Sequence, residues 1–482
     1  MAALDLIAKP ASELAALVKS KQVSPVELTK AYLARIDALN PAVNAFITVT
    51  PELALKQARE AERQIAGGTY LGPLHGIPYA PKDILATKGI KTTNGSKVTA
   101  NWVPTYESTI TARLNRAGAV MVGKLNLLEF AMGSGVVSGF GPARNPWHLE
   151  YSPSGSSSGS GAALIADMVP LSIGTDTGGS IRGPAANCGI VGLKQTYGRV
   201  SRYGVTTLSW TMDHAGPMTR SVADAAALLQ VIAGADPKDP TAARRAVPDY
   251  AQAMTGSVKG LRIGVPTSYF FENDSPEVDK AVRDAIATLK TMGASIVDVN
   301  VPHAKYAGSA GWMVAMAEAA CFHEKRMRET PELFDPLVRE RLEAAKFYPA
   351  TDYIKALRIR TILMNEMRDV FTKCDVMAVP ASTGVATKLE TAERAASDVK
   401  PGSAGTPFRG GNTFIGNMTG LPAIVIPCGF SSGSPTLPIT VMFYGNAFAE
   451  GTLFRVSAAY EAATEWHTRR PNLEATSKTM RN

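Results

Sequence analysis

The sequence predicts an α/β fold with a largely buried sheet, and three observations carry that expectation. Short apolar runs of strand length recur along the chain. Capped amphipathic segments of helical period lie between them. A helix pattern over residues 275–293, with Val278, Val282, Ile286 and Leu289 on one face, leads straight into "SIVDVNV" from Ser295, the alternation from which α/β sheets are built.

In chain order, the first clear element is a helix opened by Ser24. Serine suits the cap, Pro25 the first helical position, and Glu27 completes an S-x-x-E box; Leu28, Tyr32, Ile36 and Leu39 then share a face. The helix is expected to stop before Pro41. Strands are expected at "AVMVG" from Ala119, "VPLSIGT" from Val169, "LRIGVP" from Leu261, "SIVDVNV", "DVMAVP" from Asp375 and "AIVIP" from Ala423. A helix-like segment over 161–168 precedes the second of these. Ser221 with Asp224 opens another capped helix, "VADAAALLQVIAG", closed by Gly234. Residues 236–256 and 384–405 break the apolar period and are expected as surface excursions, the latter a candidate lid. No repeat or long linker divides the 482 residues, which predicts one compact domain over 1–482.

Composition narrows the function. A hydrophobic fraction of 45% and a charged fraction of 19% fit a globular enzyme. No apolar run of about eighteen residues exists to span a bilayer, and the N-terminus lacks the continuous apolar stretch of a secretory signal, so a cytoplasmic chain is expected. Cys188, Cys321, Cys374 and Cys428 are widely spaced without a CxxC pair and read as buried thiols, not zinc ligands or disulfides. The net charge of +8 is dispersed among 42 acidic residues with no basic run; nucleic-acid binding is not expected.

The six histidines form no HExxH and no ligand-like pair, so no metal site is expected. "GSSSG" at Gly155 matches a nucleophile-elbow string but has no strand directly before it. What remains is "TDTGGSIRGP" after a strand, where glycines before Ser180 let several N–H groups turn into one space. Ser180 is therefore a candidate nucleophile. A serine needs a base, and a buried lysine can serve if desolvation strips its proton. Lys82, after the proline-flanked run "LHGIPYAP", is the candidate, although a solvated or salt-bridged lysine is the commoner fate of that residue type.

The chain resembles the amidase signature family from "SPVELTKAYLARIDALNPAVNAFI" through "LHGIPYAPKD", "GKLNLLEFAMGSG" and the long block "PSGSSSGSGAALIADMVPLSIGTDTGGSIRGPAANCGIVGLKQTYGRVS" to "TGLPAIVIPCGF" and "AAYEAATEWHTRRP". The resemblance implies a single-domain fold with a central mixed sheet covered by helices on both faces. It implies a Ser-cisSer-Lys triad of Lys82, Ser156 and Ser180, with Gly155–Ser156 as the cis peptide. Backbone N–H groups of Thr177, Gly178, Gly179 and Ser180 would form the oxyanion hole, and Met132, Gly133 and Ser134 would line the acyl side. No cofactor or metal is implied. Asp176 and Arg182 are expected to pair beside the nucleophile, and Ser157, Ser158 and Ser160 to cap the next helix. The chain departs from most relatives in carrying Ser154-Gly155 where they have Gly-Gly, and Ser158 where they have glycine.

The expected function is hydrolysis of neutral, bulky or aromatic amides, closest in type to free-standing aryl and acyl amidases and urethanases, with ester and carbamate cleavage open to the same chemistry. Trp147, Trp210, Phe408 and Phe414 are candidates for an apolar pocket. The partners expected are a small-molecule amide, ester or carbamate, with no nucleic acid and no membrane, the chain acting as monomer or homodimer. Two alternatives stand beside this reading: the glutaminase subunit of a tRNA-dependent amidotransferase, and a non-catalytic binding subunit. The first of these branches holds the glutamine amino group with an aspartate shortly before its "NLAGLP" motif, a place where this chain has Gly410.

Overall fold

The computed structural model describes residues 3–132, 137–272, 274–391 and 411–473. Its strands are β1 (Phe46–Val49), β2 (Pro78–Pro81), β3 (Val120–Met121), β4 (Gly123–Leu125), β5 (Leu171–Asp176), β6 (Val191–Lys194), β7 (His214–Thr219), β8 (Arg262–Pro266), β9 (Ser295–Val299), β10 (Val376–Pro380), β11 (Ala423–Phe430) and β12 (Pro438–Gly445). Among the described residues ten of them form one sheet in the order β3-β2-β5-β7-β6-β11-β12-β10-β8-β9, while β1 and β4 pair separately.

The sheet is mixed. β3, β2 and β5 run parallel, as do β9, β8 and β10, and the pairs between these two edges are antiparallel. β5, β6, β7, β10 and β12 are buried along their whole length, as a sheet covered on both faces requires. All six runs read as strands contain one.

The opening helix, Pro25–Val43, begins as expected, with Ser24 Oγ accepting from the N–H groups of Val26 and Glu27. It does not stop before Pro41. Val43 is buried, and the helix carries through the proline to bury it; Asn44, in the left-handed region at φ 52°, then closes the turn by donating its N–H to Asn40 O. Helix Pro276–Thr291 buries the face the sequence marks. Residues 236–256 run over the surface as expected, most of them exposed or half-buried, and are tied down at two points: Asp239 accepts from the Arg202 N–H at 2.7 Å, and Tyr250 is buried in a short helix, Tyr250–Ala253. Of the expected lid, residues 384–391 are described, and Thr387 O accepts from Ser152 N–H at 2.8 Å; residues 392–405 lie outside the described residues. Cys188, Cys374 and Cys428 are buried, but Cys321 is exposed, on the outer side of helix Ala307–Glu329.

Two features place the site. β2 lies beside β5 in parallel, so Lys82, just after β2, and the loop 177–180, just after β5, leave the sheet at the same end. The helices Ala307–Glu329 and Gly411–Thr419 roof that end, approaching so closely that a Cβ on Gly311 would stand 2.3 Å from the Phe414 ring. No helix among the described residues is long and apolar enough to cross a membrane. Replacing Ser24 by alanine is expected to lower stability by about 1 kcal/mol through the lost cap, measured as a shifted denaturation midpoint at unchanged slope.

Candidate active site

Lys82 is fully buried, and its Nζ lies 2.7 Å from Ser156 Oγ, 2.8 Å from Thr175 Oγ1 and 3.1 Å from Ser157 Oγ. These are hydroxyl neighbours, not carboxylates. Ser157 Oγ donates to Thr175 O and accepts the Thr175 N–H, both at 3.2 Å, so toward Lys82 it acts as an acceptor. An uncharged amine has two N–H donors and one lone pair. Were such an amine to donate to Ser157 and Thr175, its lone pair would be left for Ser156. Burial pulls the Lys82 ammonium down to about 7, against the charges of Asp176 and Asp213.

The Gly155–Ser156 peptide is cis. Ser154, the residue that stands where most relatives have glycine, sits at φ 64°, a conformation glycine adopts more readily. Ser157 N–H donates to Ser180 O at 3.3 Å and so ties the serine turn to the loop 177–180. Ser156 is buried whereas Ser180 is half-buried and lines an open cavity with it.

The loop is fixed from behind by a buried ion pair. Arg182 Nε and Nη2 donate to the two oxygens of Asp176 at 3.0 and 2.9 Å, and Asp176 also accepts the N–H groups of Gly179 and Ile181 at 2.8 and 3.1 Å. Arg182 reaches on to Thr413 O at 2.7 Å and Asn417 Oδ1 at 2.6 Å. Burial opposes the charge on Asp176, but Arg182, with Lys194 and His214 beyond it, holds the carboxyl well below its ordinary range.

The cavity in front of Ser180 has a volume of about 420 Å³. Leu128, Met132, Leu208, Trp312, Met316 and Phe414 give it apolar walls. Arg341 is the charged side chain among its described lining residues; its Nη1 donates to Met132 O at 2.6 Å, and its guanidinium lies 5.3 Å from the Trp312 ring centre. Among the described residues, no group of three or more His, Cys, Asp or Glu side chains gathers as a metal site would need.

The structure thus brings together Lys82, Ser156, Ser180, the loop 177–180 and Met132. Gly133, Ser134, Phe408 and Gly410 lie outside the described residues. Four expectations need correction. The Gly179 N–H points to Asp176 and not into the cavity, leaving Thr177, Gly178 and Ser180 as the loop residues that Asp176 does not hold. Ser157 precedes the helix Ser158–Ile165 without a side-chain cap bond, its hydroxyl being engaged by Lys82 and Thr175, while Ser158 and Ser160 fall inside the helix. Trp147 packs edge-on against Phe430, with its Nε1–H on Cys188 O. Trp210 is exposed at the surface beside Phe322 and does not line the cavity, so of the described aromatic candidates Phe414 does. Sequence reasoning misses Thr175, Asp213 and Arg341. Thr175 carries a usable signal, since it lies on the strand leading into the loop 177–180.

With this geometry in place, comparison with known proteins assigns a family. The Amidase family pattern matches residues 27–454, and the chain belongs to that family of amidase signature enzymes, which hydrolyse C–N bonds. A glutamyl-tRNA(Gln) amidotransferase subunit of Geobacter metallireducens is 43% identical, covering 95% of this chain and 97% of that protein. The protein of the same name from Moorella thermoacetica is 42% identical over 98% of this chain and 99% of its own. Among solved structures, 6-aminohexanoate cyclic dimer hydrolase superposes with a TM-score of 0.88 at 29% identity, covering 97% of this chain and 99% of that one. Peptide amidase from Stenotrophomonas maltophilia gives 0.84 at 31% identity, covering 96% and 98%. The curated relatives overturn the expectation of a chain acting alone on small molecules without nucleic acid, because proteins this similar are named as one subunit of an enzyme for glutamyl-tRNA.

Breaking the pair behind the loop strands a buried charge. Arg182→Met is expected to cost about 3–5 kcal/mol of stability, read by chemical denaturation. Gly179→Ala is expected to cut kcat by about tenfold or more, because the residue sits at φ 133° with a new Cβ 2.7 Å from Thr413 Oγ1; initial-rate kinetics on folded protein check it.

Proposed function

We propose that the chain cleaves an amide C–N bond by passing the acyl group to Ser180. The observation that supports this most is the buried Lys82 amine at 2.7 Å from Ser156 Oγ. Lys82 accepts the Ser156 proton, Ser156 accepts the Ser180 proton, and Ser180 Oγ attacks the carbonyl carbon. The N–H groups of Thr177, Gly178 and Ser180 receive the negative oxygen, each donor worth about 2.7–4 kcal/mol. The proton returns along the same hydroxyls to the nitrogen, the amine leaves, and water frees the acyl group from Ser180.

For the acyl group, the amidotransferase relatives support a glutaminase subunit. Arg341 supports it independently, since the carboxylate of glutamine would meet the cation of the cavity wall. This reading makes the chain one part of an assembly that serves glutamyl-tRNA. A second reading, a neutral amide with an apolar acyl group, is favoured by Gly410: where the amidotransferase branch has an aspartate for the substrate ammonium, this chain has no side chain, and an unpaired ammonium is costly to desolvate.

Ammonia release from L-glutamine is expected to exceed that from glutaramate, which lacks the amino group, and to exceed hydrolysis of p-nitroacetanilide and an aryl carbamate. Preference for the anilide or carbamate would replace the glutaminase reading with the neutral-amide one. Lys82→Ala is expected to lower kcat by about 10⁴ or more with the fold retained by circular dichroism, and a fluorophosphonate is expected to label Ser180. In the wild type, kcat/KM should rise with pH through about 7, because the base works only after Lys82 has lost its proton. A flat profile over that range would remove Lys82 from the relay.

A further inference from the structure

We propose that Asp213 is a positioning residue for the hydrolysis, holding the nucleophile loop against the cavity wall and presenting its negative charge to Lys82. The proposal rests on the reading of Lys82 as the base.

Asp213 lies just before β7 and is buried. Its Oδ1 accepts the Thr177 hydroxyl at 2.6 Å, and its Oδ2 accepts the N–H groups of Leu208 and Ser209 at 2.9 and 3.0 Å. Thr177 opens the nucleophile loop, and Leu208 forms part of the cavity wall facing it. One carboxylate therefore sets the separation between loop and wall. A misplacement of a fraction of an ångström there moves oxyanion donors away from where charge develops.

Charge gives the second role. Two carboxylates act on Lys82, Asp176 and Asp213. Asp176 is matched by Arg182, with Lys194 and His214 on its far side. Asp213 makes no ion pair among the described residues; it faces the Arg202 charge at longer range and helps line a second cavity of about 230 Å³, with His214, Lys238 and Asp239 also on its walls. Burial raises its carboxyl to about 6, against the hydroxyl of Thr177, the charge of Arg202 and the two backbone donors, so at neutral pH it is mostly ionised. An ionised Asp213 favours the charged form of Lys82, opposing burial. Removing that charge lets Lys82 give up its proton at lower pH.

The test is the pH dependence of kcat/KM between about 5.5 and 9, with glutamine or p-nitroacetanilide, whichever the wild type hydrolyses, for the wild type, Asp213→Asn, Thr177→Val, Thr177→Ser and Lys82→Ala. Asp213→Asn is expected to move the rising limb to lower pH by about half a unit or more while lowering the plateau. A purely structural role would lower the plateau and leave the limb in place, and that result overturns the proposal. Thr177→Val is expected to lower kcat by about tenfold, with Thr177→Ser restoring most of it. If Asp213→Asn does not fold, full kcat in Thr177→Val overturns the proposal instead. Activity retained in Lys82→Ala refutes the base assignment, a failure separate from an unmoved limb.

Discussion

The site depends on keeping carboxylates out of contact with one buried amine. A lysine paired with a carboxylate stays charged at neutral pH and cannot accept a proton. Two of the acids around Lys82 are each bound to another cation. Asp83, the next residue in the chain, pairs with Lys124 at 3.0 Å and accepts the Thr93 hydroxyl at 2.6 Å. Asp176 is taken by Arg182. Both pairs are buried, and both would be expensive to break. Each pair matches its acid with another cation as well as fixing a stretch of chain beside the site.

Strand adjacency does the rest. Ser156 follows Lys82 by 74 residues, and Ser180 comes later still, so local structure cannot gather the three groups of the proposed relay. The parallel pairing of β2 with β5 does: Pro81 lies opposite Ile173, and Lys82 N–H donates to Ile173 O at 2.9 Å, fixing the lysine backbone to the strand that ends at Asp176. The helix Ser158–Ile165 packs near the same strand, and its leading turn carries Ser156 and Ser157. Gly174 on β5 has room for no side chain, since a Cβ would lie 3.0 Å from Ser157 Oγ and 2.6 Å from Met218 Sδ. The small residues that make the serine turn look like a linker are those that close packing demands.

Apolar runs are legible in the sequence because burial on both faces writes strands as continuous hydrophobic stretches. Four strands of the large sheet are not, β2, β6, β7 and β12. "PYAP" and "HAGPMT" carry proline within a sheet, where a missing N–H normally argues against a strand, yet Pro217 sits opposite Ile173 in the register of β5 and β7. At the site, the residue types of the proposed relay are readable from the motif, but their environment is not. Whether Lys82 is solvated, paired or stripped of its proton depends on Thr175 and Ser157 as neighbours and on Lys124 and Arg182 as rivals for the acids. Those contacts are made by tertiary packing. Gly179 shows the same limit: its place in a glycine-rich turn suggests a free N–H, and only the position of Asp176 reveals that it is engaged.

Burial by itself does not make a lysine a base, and this chain supplies its own controls. Lys82, Lys124 and Lys194 are all fully buried, and burial lowers the proton affinity of each. Lys124 is pinned by Asp83, Leu85 O and Thr92, so its charge is neutralised by an ion pair. Lys194 contacts Gln195 O at 3.2 Å and His214 Nε2 at 3.1 Å and, among the described residues, no hydroxyl. Lys82 alone of the three touches a hydroxyl that lines the open cavity beside Ser180. Desolvation makes proton loss possible at neutral pH, and in the proposed relay the contact with Ser156 gives that loss a use; a buried lysine without such a contact serves only the core.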